Sequence, residues 1–391
     1  MTRIYLVAGE PSGDRLGAEL IRGLKALAPD IEIAGVGGRE MAAAGLDPLF
    51  DIADLSVMGL TEVLPRLPVI LRRLRQTTGD VISREPQALV TIDAPSFGLR
   101  VAERVRRRAP QIRTIHYVAP SVWAWRPGRA RHMARFVDHV LALLPFEPPF
   151  MEAAGMSCAF VGHPVAARET PPAEAIARIR ARAGAPPGTP LLLVAPGSRR
   201  GEVARMMPVF AETTARLAAE VPELCTVVPV AETVAEPLAA PLAAMRPAPL
   251  VIRPDEGEAE KRAAFAAADA GLVASGTVAL ELAAADTPHV SCYAVSWATA
   301  AIARRLLRVD TGHLVNLVTG EAAVPECLQE RCRPETILEA LRPLIGGDSE
   351  AQRAAFGRAM AALGRGGEGP GLRAARSVIE TLEKPRPGSA R

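Results

Sequence analysis

The chain has 391 residues, 49% of them hydrophobic and 23% charged, and carries a formal net charge of +3. This is ordinary globular usage; it excludes disordered, collagen-like and disulfide-scaffold classes, and the charge is too mild to demand nucleic acid as a partner. At roughly 150 residues per domain, the length suggests two domains that each bury their own core.

The cysteines Cys158, Cys225, Cys292, Cys327 and Cys332 are scattered and form no CxxC pair. A reduced, cytosolic setting fits them better than a disulfide framework. Met1-Thr2-Arg3 leads straight into an apolar run, without the pattern of a secretory leader. The longest uncharged stretch, 287–303, falls short of the ~20 residues a spanning helix needs. Arginines cluster at 66–75, 100–113 and 126–135, most simply as solvated faces.

Short apolar runs alternate with amphipathic stretches throughout, the signature of βαβ units and parallel sheets. In chain order the pattern predicts strands at 4–8, 31–36, 88–92, 113–117, 140–144 and 158–161, with a helix from Leu16 to Leu27 after the first. A Pro-, Ala- and Gly-rich zone at 170–190 follows, holding one short charged helix from Glu174 to Arg182, and marks a domain boundary. The pattern then restarts, with strands at 191–195, 226–230, 250–253, 270–274 and 289–293. The tail after Lys384 reads as polar and disordered. The expected organisation is a first domain at 1–170, a linker at 171–190, a second domain at 191–365, and a C-terminal helix and tail at 366–391. The fold class is α/β, with two doubly wound Rossmann-like domains facing each other across a cleft.

In open parallel sheets, ligands bind beyond the carboxyl ends of the strands, so the residues there are the site candidates. The first strand runs into Gly9-Glu10-Pro11-Ser12-Gly13-Asp14, whose glycines allow close backbone approach at a helix start that favours an anion. The spacing is not GxGxxG, and a plain tight turn explains it as well. Glu10 would repel a phosphate there and suits a sugar hydroxyl instead. Asp93, in Ile92-Asp93-Ala94-Pro95, is a carboxylate at a strand exit, either a general base or a turn cap. Pro120-Ser121-Val122-Trp123-Ala124-Trp125-Arg126 spends two of the 3 tryptophans on one stretch, most simply as core packing.

Pro196-Gly197-Ser198-Arg199-Arg200-Gly201-Glu202 gives the strongest signal. Backbone N–H groups, a helix dipole and the forked guanidinium of Arg199 together suit a pyrophosphate. Ser275-Gly276-Thr277 repeats that logic, and Glu281, one turn on, meets either the vicinal hydroxyls of a ribose or solvent. No Asp-x-Asp occurs and the 6 histidines lack ligand spacing, so a metal-dependent mechanism is disfavoured. Along 60–77, Val63, Leu64, Leu67, Ile70 and Leu71 are interleaved with arginines, on a helix expected to start near Pro68. Such a stripe faces either the core or an anionic membrane interface.

Several of these stretches resemble one family, lipid-A-disaccharide synthase, a group of inverting glycosyltransferases with the GT-B fold. They are VAGEPSGD at 7–14, LSVMGLTEVL at 55–64, IDAPSF at 92–97, TIHYVAPSVWAW at 114–125, LALLPFE at 141–147, FVGHP at 160–164, PGSRR at 196–200, and the segments 274–282 and 324–329. The resemblance implies transfer of 2,3-diacylglucosamine from UDP-2,3-diacylglucosamine to the 6-hydroxyl of 2,3-diacylglucosamine 1-phosphate (lipid X). UDP is released with inversion, and neither cofactor nor metal takes part. It also implies a peripheral protein on the cytoplasmic face of the inner membrane, touching anionic lipid, with a homodimer left open.

By the same resemblance Asp93 is the base and Glu10 the loop glutamate on the acceptor side, in the first domain. UDP would meet Arg199, Ser198, Gly197, Ser275, Gly276 and Thr277, with Glu281 on the ribose and Asn316 in the nucleotide loop. Val63, Leu64, Leu67, Ile70 and Leu71 become the membrane or acyl-chain surface. The chain departs from the family pattern at Ser96, at Ala294 after Tyr293, and at Val315 before Asn316. The competing readings are another UDP-sugar GT-B enzyme, such as a 2-epimerase, and a non-catalytic nucleotide-sugar module.

Overall fold

A computed structural model describes residues 2–55, 60–297, 299–300 and 306–384, with the side chains of 60–64 left aside. The chain forms two compact units, one running to Ala167 and resuming at Leu363, the other spanning Arg168–Ala362. Each is built around a six-stranded, all-parallel sheet.

In the first unit the strands are β1 (Arg3–Ala8), β2 (Glu32–Val36), β3 (Ala88–Ile92), β4 (Arg113–Tyr117), β5 (His139–Ala142) and β6 (Ser157–Phe160), in the order β2-β1-β3-β4-β5-β6. Alternate residues of each strand serve opposite faces, which is why the strands read as continuous apolar runs. Tyr5 and Val7 join the core that holds Leu99, Val101 and Val105 of helix Gly98–Arg108. Ile4, Leu6 and Ala8 join Leu16, Leu20 and Leu24 of helix Pro11–Leu27 on the other face. The helices after β1 and β3 therefore leave to opposite sides, and a crevice opens between those two strand tips.

The second unit repeats the plan with β7 (Leu191–Ala195), β8 (Cys225–Pro229), β9 (Leu250–Ile252), β10 (Ala270–Ala274), β11 (His289–Tyr293) and β12 (Glu326–Leu328), in the order β12-β11-β10-β7-β8-β9. Helix Arg200–Glu220, which follows β7, packs through Met206 and Phe210 on one face. Helix Thr277–Ala284, which follows β10, packs through Ala279 and Leu282 on the other. The reversal here falls between β7 and β10.

The structure differs from the sequence reading in three places. β12 is an added strand, too short and too charged to show a period of its own, and it forms by pairing Cys327 with Cys292 along β11. The helix expected to start near Pro68 begins at Leu60 and runs to Arg84, with Pro65 and Pro68 inside it. Both prolines are exposed, so water can serve the carbonyls they leave without a donor. Helix Pro370–Glu383 packs on helix Pro11–Leu27 and so belongs with the first unit. The two helices meet at glycines: a Cβ on Gly23 would come within 2.6 Å of the Gly371 carbonyl oxygen.

Burial, aided by nearby cations at the first two, pulls His116, His139 and His289 down to about 4, so all three are neutral in the fold at pH 7. Between their unfolded value near 6.5 and about 4 the unfolded chain binds more protons. Stability is therefore full above pH 6.5 and is lost as pH falls through that window. At pH 5 the loss should reach at most about 2 kcal/mol per histidine. Glu147, pushed up to about 7 by burial, offsets part of it. Urea midpoints should be lower at pH 5 than at pH 7.5; equal midpoints would mean that these imidazoles are charged in the fold.

Candidate active site

At the first reversal, Ala8 of β1 lies opposite Ile92 of β3, so the Gly9-Glu10 loop and Asp93 share one edge. Ser12 donates its hydroxyl to Asp93 Oδ2 at 2.7 Å, and the Asp93 N–H donates to the Tyr117 carbonyl at 2.9 Å. Asp93 and Ala94 both have positive φ, +49° and +36°, a region non-glycine residues seldom occupy and one that marks a constrained turn. The turn is tight enough that a Cβ on Gly13 would sit 3.0 Å from the Ile92 carbonyl oxygen. Half-buried Asp93 thus keeps Oδ1 for a ligand while a hydroxyl orients Oδ2. Glu10 caps helix Pro11–Leu27 through its carbonyl, which accepts from the Asp14 N–H at 2.9 Å.

Two carboxylates of this edge are already spent. Asp14 accepts from the N–H groups of Gly38, Glu40 and Met41 at 2.7, 2.9 and 3.1 Å and so fixes the start of helix Arg39–Ala43. Glu147 is buried beyond β5, where it accepts from Trp123 Nε1 at 3.2 Å and from the Leu144 N–H at 3.0 Å. His116 is buried beside Asp93's strand but faces Thr91, with Nδ1 2.8 Å from Oγ1.

At the second reversal, β7 ends in Pro196-Gly197-Ser198-Arg199 and β10 in Ser275-Gly276-Thr277. Gly197 has φ +117°, and a Cβ there would run into the Glu202 carboxylate, so only glycine fits. Ser198 donates its N–H to Glu202 Oε2 at 3.0 Å and accepts from the Thr233 hydroxyl at 2.7 Å. Arg199 is the exposed N-cap of helix Arg200–Glu220, and its guanidinium has no partner among the described residues. A cation and a helix N-terminus converge there, an arrangement suited to a diphosphate.

A family model described as lipid-A-disaccharide synthetase matches residues 4–363. The chain is 50% identical over 387 residues to the lipid-A-disaccharide synthase of Ruegeria pomeroyi, covering 98% of this chain and 96% of that protein. With the same enzyme of Rhodospirillum centenum the identity is 47% over 388 residues, covering 97% and 95%. The chain belongs to the lipid-A-disaccharide synthase family. It is therefore a glycosyltransferase. Among solved structures it is similar to the UDP-GlcNAc 2-epimerase from Neisseria meningitidis bound to UDP-GlcNAc, with a TM-score of 0.65 at 14% identity, covering 98% of this chain and 100% of that one. That likeness speaks for the fold alone, α/β with two domains in the GT-B manner.

Glu281 lies between two cations. It is buried, and it holds Arg168 at 2.6 Å on Oε1 and Lys261 at 3.2 Å on Oε2. Burial works against its charge, but Lys261 and Arg168 outweigh it and hold the carboxyl below the usual range. A carboxylate has about four acceptor positions, so two remain for hydroxyls. Both cations lie far from Glu281 in sequence, and no local pattern announces them.

Asn316 is buried and clamps its own loop, with Oδ1 accepting from the Val324 N–H at 2.9 Å and Nδ2 donating to the Val324 carbonyl at 3.0 Å. A relay fixes the start of this segment. His289 Nδ1–H donates to the Thr287 carbonyl at 2.9 Å, leaving Nε2 to accept from His313 Nε2–H at 2.9 Å. His313 Nδ1 then accepts from the Val315 N–H at 3.2 Å. The second link requires a neutral His289 and the third a neutral His313, in agreement with the downward shift that burial gives both. A cavity of about 970 Å³ lies beside Asn316 and β12, at the sheet edge away from the β7–β10 reversal.

Of the apolar stripe, Leu67 is exposed, Leu71 half-buried, and Ile70 half-buried against the core of the first unit. The side chains of Val63 and Leu64 lie outside the described residues. Among the described residues no helix is long and apolar enough to cross a membrane, and no group of three His, Cys, Asp or Glu could hold a metal ion.

Glu281→Gln would remove the buried carboxylate shared by Arg168 and Lys261, leaving Lys261, among the described residues, only Glu258 at 3.5 Å. The unfolding free energy should drop by roughly 2 kcal/mol, read as a shift in urea midpoint. An unshifted midpoint would show that solvent already screens the triad.

Proposed function

We propose that the chain joins 2,3-diacylglucosamine, carried as its UDP ester, to the 6-hydroxyl of lipid X, with inversion and without a metal. Family membership supports the reaction. The observation that carries the residue assignment is Asp93, strained and oriented by Ser12 at the first reversal. Asp93 Oδ1 accepts the proton of the 6-hydroxyl as that oxygen bonds to the anomeric carbon. The bond from that carbon to the diphosphate oxygen breaks in the same step, and UDP departs with the electron pair. Arg199 and the N-terminus of helix Arg200–Glu220 offset the charge that grows on the diphosphate, with Gly197, Ser198, Ser275, Gly276 and Thr277 beside them. Glu281 takes the ribose hydroxyls with its remaining lone pairs, Asn316 holds the nucleotide loop in shape, and Glu10 meets an acceptor hydroxyl.

The substrates carry acyl chains, so the reading includes peripheral contact with an anionic inner-membrane surface on its cytoplasmic side. Leu67 at 38% exposure, Trp297 at 83% and Leu307 at 50%, large apolar side chains left in water, support it. On the first unit Ile70 and Leu71, half-buried on the same helix as Leu67, extend its apolar stripe in this reading, and the expectation covers Val63 and Leu64 of that helix, whose side chains lie outside the described residues.

Incubation with both diacylated sugars should give one lipid disaccharide 1-phosphate per UDP released, resolved by mass. Conversion of plain UDP-N-acetylglucosamine without an acceptor would favour an epimerase instead. Asp93→Ala should lower turnover by roughly 10²–10⁴ in a folded protein; rates like those of the parent would remove Asp93 from the chemistry. Arg199→Ala should raise the donor KM and slow transfer together, about tenfold or more in kcat/KM. An unchanged inhibition by UDP would place the diphosphate elsewhere.

A further inference from the structure

Among the described acidic groups, Glu147 is the one whose burial is costly and whose purpose the reaction leaves open. It is 3% exposed, and its oxygens meet N–H donors, from Trp123 and from the backbone of Leu144 and Leu143. No cation pairs with it among the described residues. Burial pushes its carboxyl up to about 7 against the pull of those donors. An uncompensated buried carboxylate costs more than a glutamine or leucine in its place, so stability alone does not account for it.

Its side-chain partner lies on a loop that needs holding. The segment 118–126 leaves β4 beside Asp93, whose N–H donates to the Tyr117 carbonyl. The loop is strained at both ends: Val118 has φ +82°, an outlier for a β-branched residue, and Arg126 has φ +50°. Trp123 is held twice, by Glu147 and by the edge of the Phe146 ring, with centroids 5.1 Å apart. Two residues on, Trp125 is exposed with the Arg126 guanidinium 4.5 Å over its ring. The loop that starts beside the proposed base thus offers solvent an aromatic face and a cation, a chemistry that suits a sugar phosphate.

We infer that Glu147 is a positioning residue for the acceptor: through Trp123 it holds the 118–126 loop so that Trp125 and Arg126 receive an acceptor sugar that bears an anionic phosphate. The inference rests on the acceptor lying at the Asp93 edge and deepens that reading. It separates the two tryptophans of the loop, one spent inward on the latch and one left outward for the ligand.

The test compares the full-length parent with Glu147→Gln, Trp123→Phe and the double variant, using UDP-diacylglucosamine and lipid X. Glutamine offers one acceptor oxygen where the N–H groups of Trp123 and Leu144 use two, so it cannot hold the indole as the carboxylate does; phenylalanine keeps an aromatic ring and removes the donor. Each single variant should raise the lipid X KM about tenfold, the worth of one hydrogen bond to a charged group, while the donor KM stays within twofold. The double variant should be no worse than either single one, because both cut the same link. A proportional fall in kcat with both KM values unchanged, as partial unfolding gives, would overturn the inference, as would effects that multiply. Failure of the disaccharide assay with the parent chain would instead overturn the underlying reading, so the two failures are distinguishable.

Discussion

Each sheet of this chain reverses its strand order next to its own first strand, and that constraint determines where chemistry can occur. Connections between parallel strands cross over in one hand, so at a reversal the two neighbouring strands send their helices to opposite faces. The tips of β1 and β3, and again of β7 and β10, are therefore uncovered at an edge rich in backbone N–H groups and helix starts. Asp93 stands at one opening and Arg199 at the other. In the proposed reaction these are the base and the diphosphate cation, the two charges that displacement of UDP by an alcohol requires.

The carboxylates of the molecule show how environment sorts one functional group into different tasks. Asp14 gives its oxygens to three backbone N–H groups and becomes structure. Glu281 is held ionised between Arg168 and Lys261, and Glu147 is kept among N–H donors without a counter-ion. Asp93 has a single hydroxyl on one oxygen and a strained backbone beneath it. Among these it is the one that keeps a whole oxygen clear of donors and cations among the described residues, which is what a base for an incoming alcohol needs.

Much of this was legible in the sequence, for identifiable reasons. Strands buried on both faces leave apolar runs that nothing else in a soluble α/β chain imitates, so the strands up to β11 stood out. The loops at their tips stood out too, because glycine and proline mark the turns there. Contacts between distant segments were not legible. Neither Arg168 nor Lys261 announces its pairing with Glu281, and the His289–His313 relay joins the start of β11 to the cap of helix Leu314–Thr319. β12 needed β11 to exist, and Pro65 and Pro68 concealed the first turns of a helix whose exposed side tolerates them. Glu147 was visible only as the end of LALLPFE; its burial and its hold on Trp123 required three-dimensional coordinates.

The central claim is a division of labour, with deprotonation at the edge of the first sheet and diphosphate binding at the edge of the second. The most direct test is the UDP binding isotherm of Asp93→Asn, measured by calorimetry beside that of the parent chain. The account predicts the same affinity in both proteins even though the variant no longer turns over. A large loss of UDP affinity on removing that one charge would contradict it, because Asp93 would then be serving the nucleotide.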